Sequence, residues 1–155
     1  MSKFIDLDSL NKNKAYVLCF GNFDGYHIGH DHCIKALIKE AELCNAKSLV
    51  ITFNPHTLEV IKPTYQNYII TSNSFKNELI LNSGVDYLLN INFNLKISKL
   101  SASSFIDLII DKISPKSILI GYDNYFGKNR KGNYDFLSNY LKNRKIKVKK
   151  ISIYK

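Results

Sequence analysis

The stretch AYVLCFGNFDGYHIGH, residues 15–30, carries the reading of the fold. Its first six residues are an apolar run, preceded by a Lys/Asn-rich segment and stopped by Gly21, as in a strand buried on both faces. A glycine-bearing turn follows, after which apolar residues recur at Ile34, Leu37, Ile38, Ala41 and Leu43/Cys44. That spacing of three and four gives a helix over about 29–44 one buried face. Gly21 and Gly25 let the backbone approach a ligand closely. The helix N-terminus aims free N–H groups and a partial positive charge at whatever sits there. Strand, glycine turn and helix in this order predict a phosphate cradle. His27 and His30, three residues apart where the helix begins, can point the same way and offer donors to phosphoryl oxygens. Their expected work is to stabilise charge on a transferring phosphoryl group.

Outward from this stretch the same alternation continues. Apolar runs predict strands at 48–53, 87–91, 117–120 and 147–153, and helical spacing predicts helices at 74–82 and 134–142. A third helix opens at Ser101, whose hydroxyl precedes Phe105, Leu108, Ile109 and Ile113 as an N-cap, and Pro115 stops it. Residues 121–132 read as a loop. Strands and helices in alternation imply parallel pairing, so the expected architecture is one α/β domain over residues 1–155. It would be a Rossmann-like, doubly wound parallel sheet of about five strands with helices on both faces. Such sheets bind ligands beyond the carboxyl ends of their strands, where strand order reverses, which directs attention to the loops after Phe20, Phe53 and Ile120.

Composition narrows the function classes. A chain of 155 residues with 45% apolar content suits a single core, and excludes disorder or a multidomain enzyme. No apolar run approaches the roughly 20 residues of a membrane span, and Asp6 and Asp8 stand where a signal peptide would be apolar. A soluble, cytoplasmic protein without a membrane partner is expected. Cys19, Cys33 and Cys44 are odd in number and lack CxxC spacing, against a disulfide framework or a zinc knuckle. Zinc on His27, His30 and His32, with His56 across adjacent strands, is the rival to a phosphate site. It lacks the cysteine ligands of a structural centre, and no metal site is predicted. The net charge of +9 resides in residues 128–155, where ten basic residues face Asp135 alone. Such a tail attracts anions, but nucleic acid is not the expected partner. Residues 127–132, GKNRKG, have the two glycines of a Walker A loop. Asn133 and Tyr134 replace its Lys-Ser/Thr, so it is no P-loop. Arg130 is one of two arginines beside 20 lysines, and its planar fork suits bidentate phosphate binding.

The segment GNFDGYHIGH, 21–30, resembles the HxGH signature of the nucleotidylyltransferase superfamily, and more closely its form in bacterial FAD synthetases, the bifunctional riboflavin kinase/FMN adenylyltransferases. Three further segments are similar to that family: TFNPH at 52–56, LSASSFI at 100–106 and GYDNYFGKNRKG at 121–132. The resemblance implies a nucleotidylyltransferase-type fold and transfer of AMP from ATP to FMN, giving FAD and pyrophosphate by direct in-line displacement, with Mg2+ on the ATP phosphates. His27 and His30 would hold the triphosphate, Gly21, Phe23 and Gly25 would shape the nucleotide pocket, Gly121 would admit the adenosine, and Arg130 would join the ATP contacts. The flavin would lie near Pro55, Asp123 and Phe126, although Phe53 and Phe126 also suit core aromatics. A cytidylyltransferase or another HxGH enzyme with a different phosphate acceptor is the alternative, and so is a non-catalytic flavin- or nucleotide-binding module. Two positions depart from the family pattern: Thr57 replaces a proline and Asn124 a phenylalanine, which implies weaker or rearranged flavin stacking. The family's SSTxxR segment and its riboflavin kinase module have no counterpart in these residues, so flavin binding is expected to be better preserved than turnover.

Overall fold

In a computed structural model the chain is described over residues 3–23, 28–54, 61 and 73–151. The elements in chain order are β1 (Lys3–Ile5), β2 (Tyr16–Phe20), α1 (Ile28–Leu43), β3 (Lys47–Asn54), α2 (Asn73–Leu81) and β4 (Tyr87–Asn92). These are followed by α3 (Leu95–Ser98), α4 (Ala102–Ile110), β5 (Ser117–Gly121), α5 (Tyr134–Leu141) and β6 (Lys147–Ile151). The six strands form one parallel sheet in the order β1-β4-β3-β2-β5-β6. From central β2 the chain winds outward through β3 and β4, then returns to build β5 and β6 on the other side. Strand order therefore reverses between β2 and β5, where Cys19 pairs with Leu119.

Alternation along each strand divides the core in two. Tyr16, Leu18, Phe20, Leu49 and Ile51 face the layer built by α4 and α5, with Phe105, Ile109 and Leu137 opposite them. Val17, Cys19, Val50 and Leu119 face the other layer, where Ile34, Leu37 and Ala41 of α1 and Ile80 of α2 close over them. All five β2 side chains are buried, which is why this strand reads as an unbroken apolar run rather than an alternating one. The predicted cap of α4 is present: Ser101 Oγ accepts from the Ser104 N–H at 3.2 Å.

The sheet has six strands where about five were expected. The additional strand, β1, is three residues long and pairs at the sheet edge with β4, Lys3 beside Tyr87. A three-residue strand is too short to show a period, and its partner lies far along the chain. Short helix α3 was also missed; Asn94 Oδ1 caps it by accepting from the Ile97 N–H at 2.9 Å. Within the predicted 121–132 loop there is a helical turn, Lys128–Arg130, and an antiparallel bridge between Phe126 and Gly132. The basic C-terminal region is divided by the strand period: Lys149 reaches Glu40 on the α1 side at 2.7 Å, whereas Lys150 lies 5.1 Å from the ring centre of Tyr134. Lysines along an edge strand also discourage pairing with a foreign strand. Among the described residues no helix is long and apolar enough to cross a membrane.

Candidate functional site

Polar contacts tie together the loops at the point of reversal. The Gly21 N–H donates to the Ile51 carbonyl at 3.0 Å, holding the chain to β3 for one residue beyond β2. Thr52 Oγ1 donates to the Asn22 carbonyl at 3.3 Å, and Asn124 Nδ2 donates to the Phe20 carbonyl at 2.8 Å. The loop after β5 is thus fastened to the end of β2 by a side chain. Phe23 takes a φ of 54°, uncommon for a bulky residue, with its ring buried. That ring meets His30, in the first turn of α1, edge to face at 5.4 Å.

Two cavities flank these loops. One, of about 310 Å³, is lined by Phe23, His30, Cys33, Gly121 and Asp123. The other, of about 280 Å³, is lined by Phe53, Phe105, Tyr125, Phe126 and Arg130. They share Phe20, Gly21, Asn22 and Asn124, so the end of β2 and the loop after β5 form a common wall. The first cavity carries polar side chains, the imidazole of His30 and the carboxylate of Asp123. Burial raises the pKa of the Cys33 thiol, and the neighbouring Asp123 carboxylate raises it further, which keeps the sulfur protonated. The second cavity is aromatic. Phe126 is buried, packs edge-on against Phe20 at 5.1 Å, and presents a face to the cavity as well as to the core.

The loop that carries Phe126 is tightly specified. Phe126 and Gly132 exchange two backbone hydrogen bonds, at 3.0 and 2.8 Å, and Lys128 N–H donates to the Leu100 carbonyl at 2.8 Å. Gly127, at φ 76°, lies so close to α4 that a Cβ would stand 2.6 Å from Ala102 Cα. A Cβ on Gly132 would meet the Phe126 ring at 2.5 Å. Both glycines are required by close approach. At Gly121 the protein's own packing imposes no such limit, since a Cβ would lie 3.6 Å from Asp123 Oδ1.

A family profile described as FAD synthetase matches residues 9–155. The chain belongs to the FAD synthetase family. It is 35% identical over 133 residues to the bifunctional riboflavin kinase/FMN adenylyltransferase of Buchnera aphidicola subsp. Schizaphis graminum, covering 85% of this chain and 42% of that protein. To the protein of the same name from Escherichia coli K12 it is 33% identical over 119 residues, covering 76% of this chain and 38% of the relative. The chain therefore spans about two-fifths of the length of these curated relatives, which are nucleotidyltransferases by name. In fold it is similar to a crystal structure described as a macrolide-efflux protein from Streptococcus pneumoniae, with a TM-score of 0.77 at 22% identity over 95% of this chain and 49% of that one. Pantoate-beta-alanine ligase from Francisella tularensis is a more distant fold relative, with a TM-score of 0.56 at 17% identity, covering 99% of this chain and 69% of that one.

The FAD synthetase motifs fall on the two cavities unevenly. Gly21, Phe23, His30 and Gly121, expected at the nucleotide, are brought together around the polar cavity. Asp123, expected at the flavin, lines that same cavity, while Arg130, expected at ATP, lines the aromatic one beside Phe126. Gly25, His27 and Pro55 lie outside the described residues, as does His56 of the zinc alternative. His32 lies on α1 and lines neither cavity. Among the described residues no three His, Cys, Asp or Glu side chains converge as metal ligands. Sequence reasoning did not find Asn22, Cys33 or Phe105 as lining residues. It read Asn124 only as a lost aromatic, whereas the carboxamide forms the hydrogen bond that joins the two loops. A polar residue inside an aromatic motif was the available signal.

Proposed function

We propose that this chain transfers AMP from ATP to the phosphate of FMN, forming FAD and releasing pyrophosphate. The observation that carries the reading is the pair of cavities on one wall at the reversal of strand order. FAD has two unlike ends, a flat flavin and an adenosine, joined through two phosphates. An aromatic cavity beside one that carries His30 and Asp123 suits those ends, with the reacting phosphates crossing between them. Membership of the FAD synthetase family supports the same assignment.

In this reading an oxygen of the FMN phosphate attacks the α-phosphorus of ATP. The bond from that phosphorus to the bridging oxygen of the β-phosphate breaks, and pyrophosphate departs with the electron pair. Positioning and charge stabilisation suffice, so no nucleophilic side chain is needed. Cys33, protonated in its half-buried place, is accordingly a wall residue. His30, held by the edge of Phe23, donates to the triphosphate, and His27 joins it from the same motif. Magnesium, carried on the nucleotide's phosphates, would neutralise charge on the leaving group. Asp123 is the one carboxylate among the described residues lining that cavity, which suits an ion held mainly by phosphate and water. The compartment implied is the cytoplasm, where ATP and FMN are available.

The test is incubation of the whole chain with ATP, magnesium and FMN, separating products by chromatography. Equal amounts of FAD and pyrophosphate are expected, with CTP inactive in place of ATP. Transfer from CTP but not ATP would favour the cytidylyl alternative. Flavin and nucleotide binding without product would favour a non-catalytic module.

A further inference from the structure

We infer that Arg130 reads the phosphate of the flavin acceptor, so that the aromatic cavity selects FMN over riboflavin. The inference rests on the acceptor proposed above and departs from the sequence expectation, which set Arg130 beside ATP. Two observations move it. Arg130 lines the aromatic cavity and not the cavity of His30, and among the described residues lining the aromatic cavity it is the only one that carries a charge at neutral pH. An aromatic wall offers a neutral flavin ring dispersion and stacking, but a phosphate dianion brought to such a wall requires a cation.

The backbone from which this side chain projects is fixed. Arg130 N–H donates to the Gly127 carbonyl at 3.0 Å, closing the turn that begins where Gly127 packs on Ala102. Asn129 and Arg130 sit consecutively at φ 59° and 55°, a left-handed pair of non-glycine residues that the Phe126–Gly132 bridge encloses. Two such residues in sequence carry a conformational cost that the surrounding contacts must offset. The guanidinium lies over the ring of Tyr125, its carbon 5.0 Å from the ring centre. A guanidinium over an aromatic face uses its face, and its N–H donors lie along its edge. A guanidinium over a ring keeps its N–H edge available, and that planar fork is the geometry that grips two phosphate oxygens at once. Lysine has no such fork.

ATP also carries phosphate, so the test separates the two sources. Flavin fluorescence titration of the whole chain should give wild-type protein a clear preference for FMN over riboflavin. Arg130→Gln should weaken FMN binding by about 10- to 100-fold, the usual range for hydrogen bonds to a charged group. Riboflavin and magnesium-ATP affinities should each stay within about threefold, and Arg130→Lys should fall between. Equal weakening of FMN and riboflavin would mean a contact to the ring and would overturn the inference. So would a loss confined to ATP, or a wild-type protein that binds both flavins alike. A wild-type chain that binds neither flavin would sink the proposed acceptor itself and Arg130's role with it. Circular dichroism of the variants establishes that the fold is retained, as expected for an exposed side chain.

Discussion

His30 and Asn124 occupy the same small region, and they are expected to fail differently. His30 stands where α1 begins and meets the buried ring of Phe23 edge to face, and the proposed reaction makes it a donor to the triphosphate. His30→Ala should lower adenylyl transfer by about 10²-fold or more, the usual cost of one transition-state donor, with an unchanged far-ultraviolet spectrum. Initial rates of FAD formation check this. Asn124 instead holds two loops together through its donor to the Phe20 carbonyl. Asn124→Asp keeps the shape, removes the donor and sets a carboxylate oxygen against that carbonyl. A stability loss of about 1–3 kcal/mol is expected by urea unfolding, since a half-buried acceptor is left unpaired. An unchanged urea midpoint would mean that the clamp carries little.

At the scale of elements, the loop between β5 and α5 and the helix α1 each make one contact whose loss can be measured. Gly127 approaches α4 backbone to backbone, and Ala102 cannot turn aside as a flexible side chain would. Gly127→Ala, with both a positive φ and this clash, should destabilise the chain by about 1–3 kcal/mol. Because the loop carries Phe126 and Arg130, flavin affinity should fall before nucleotide affinity does, as parallel titrations would show. On the opposite face α1 is joined to β6 through Glu40, a buried residue. Hydrogen bonding from Lys149 holds its carboxyl below the ordinary value of 4.5, against the upward push of burial, with Cys44 and Ser117 assisting. A carboxyl lowered in the folded state adds stability above its unfolded pKa, about 4.3, and that stability is lost as pH falls through the lower folded value. The stability advantage of wild type over Glu40→Gln should therefore be full above about pH 5 and disappear progressively below about pH 4. Urea midpoints measured across that interval decide it, and a gap that does not change with pH would contradict the linkage.

For the molecule as a whole, the question left by the charge of +9 is whether the basic tail forms a surface for a polyanion. Lys149 is engaged by Glu40 on one face of the sheet and Lys150 lies over Tyr134, so neighbouring lysines of β6 do not share a face. A divided set of charges gives diffuse attraction rather than a continuous track along a backbone. Binding of a fluorescent duplex or single strand at physiological salt should be no tighter than the nonspecific range, about 10⁻⁴ to 10⁻⁶ M, and should fall steeply with added salt. Fluorescence anisotropy measures it. Nanomolar affinity at that salt would require a contiguous site.

Order and period were legible in the residues themselves. The unbroken apolar run at 15–20, the three-and-four spacing from Ile34 onward and the hydroxyl at Ser101 specify a strand, a helix and a cap through interactions within a few residues of each other. Alternating strands and helices then leave parallel pairing as the one economical arrangement, which is why the sheet and its point of reversal could be anticipated. What lies between distant segments could not. β1 pairs with β4 across some 80 residues. The partner of Asn124 is a carbonyl 104 positions away, and the division of Asp123 and Arg130 between two cavities depends on how the loop after β5 folds back on α4. Only the tertiary structure decided these, because the sheet sets which strand ends meet and the sequence records each end separately.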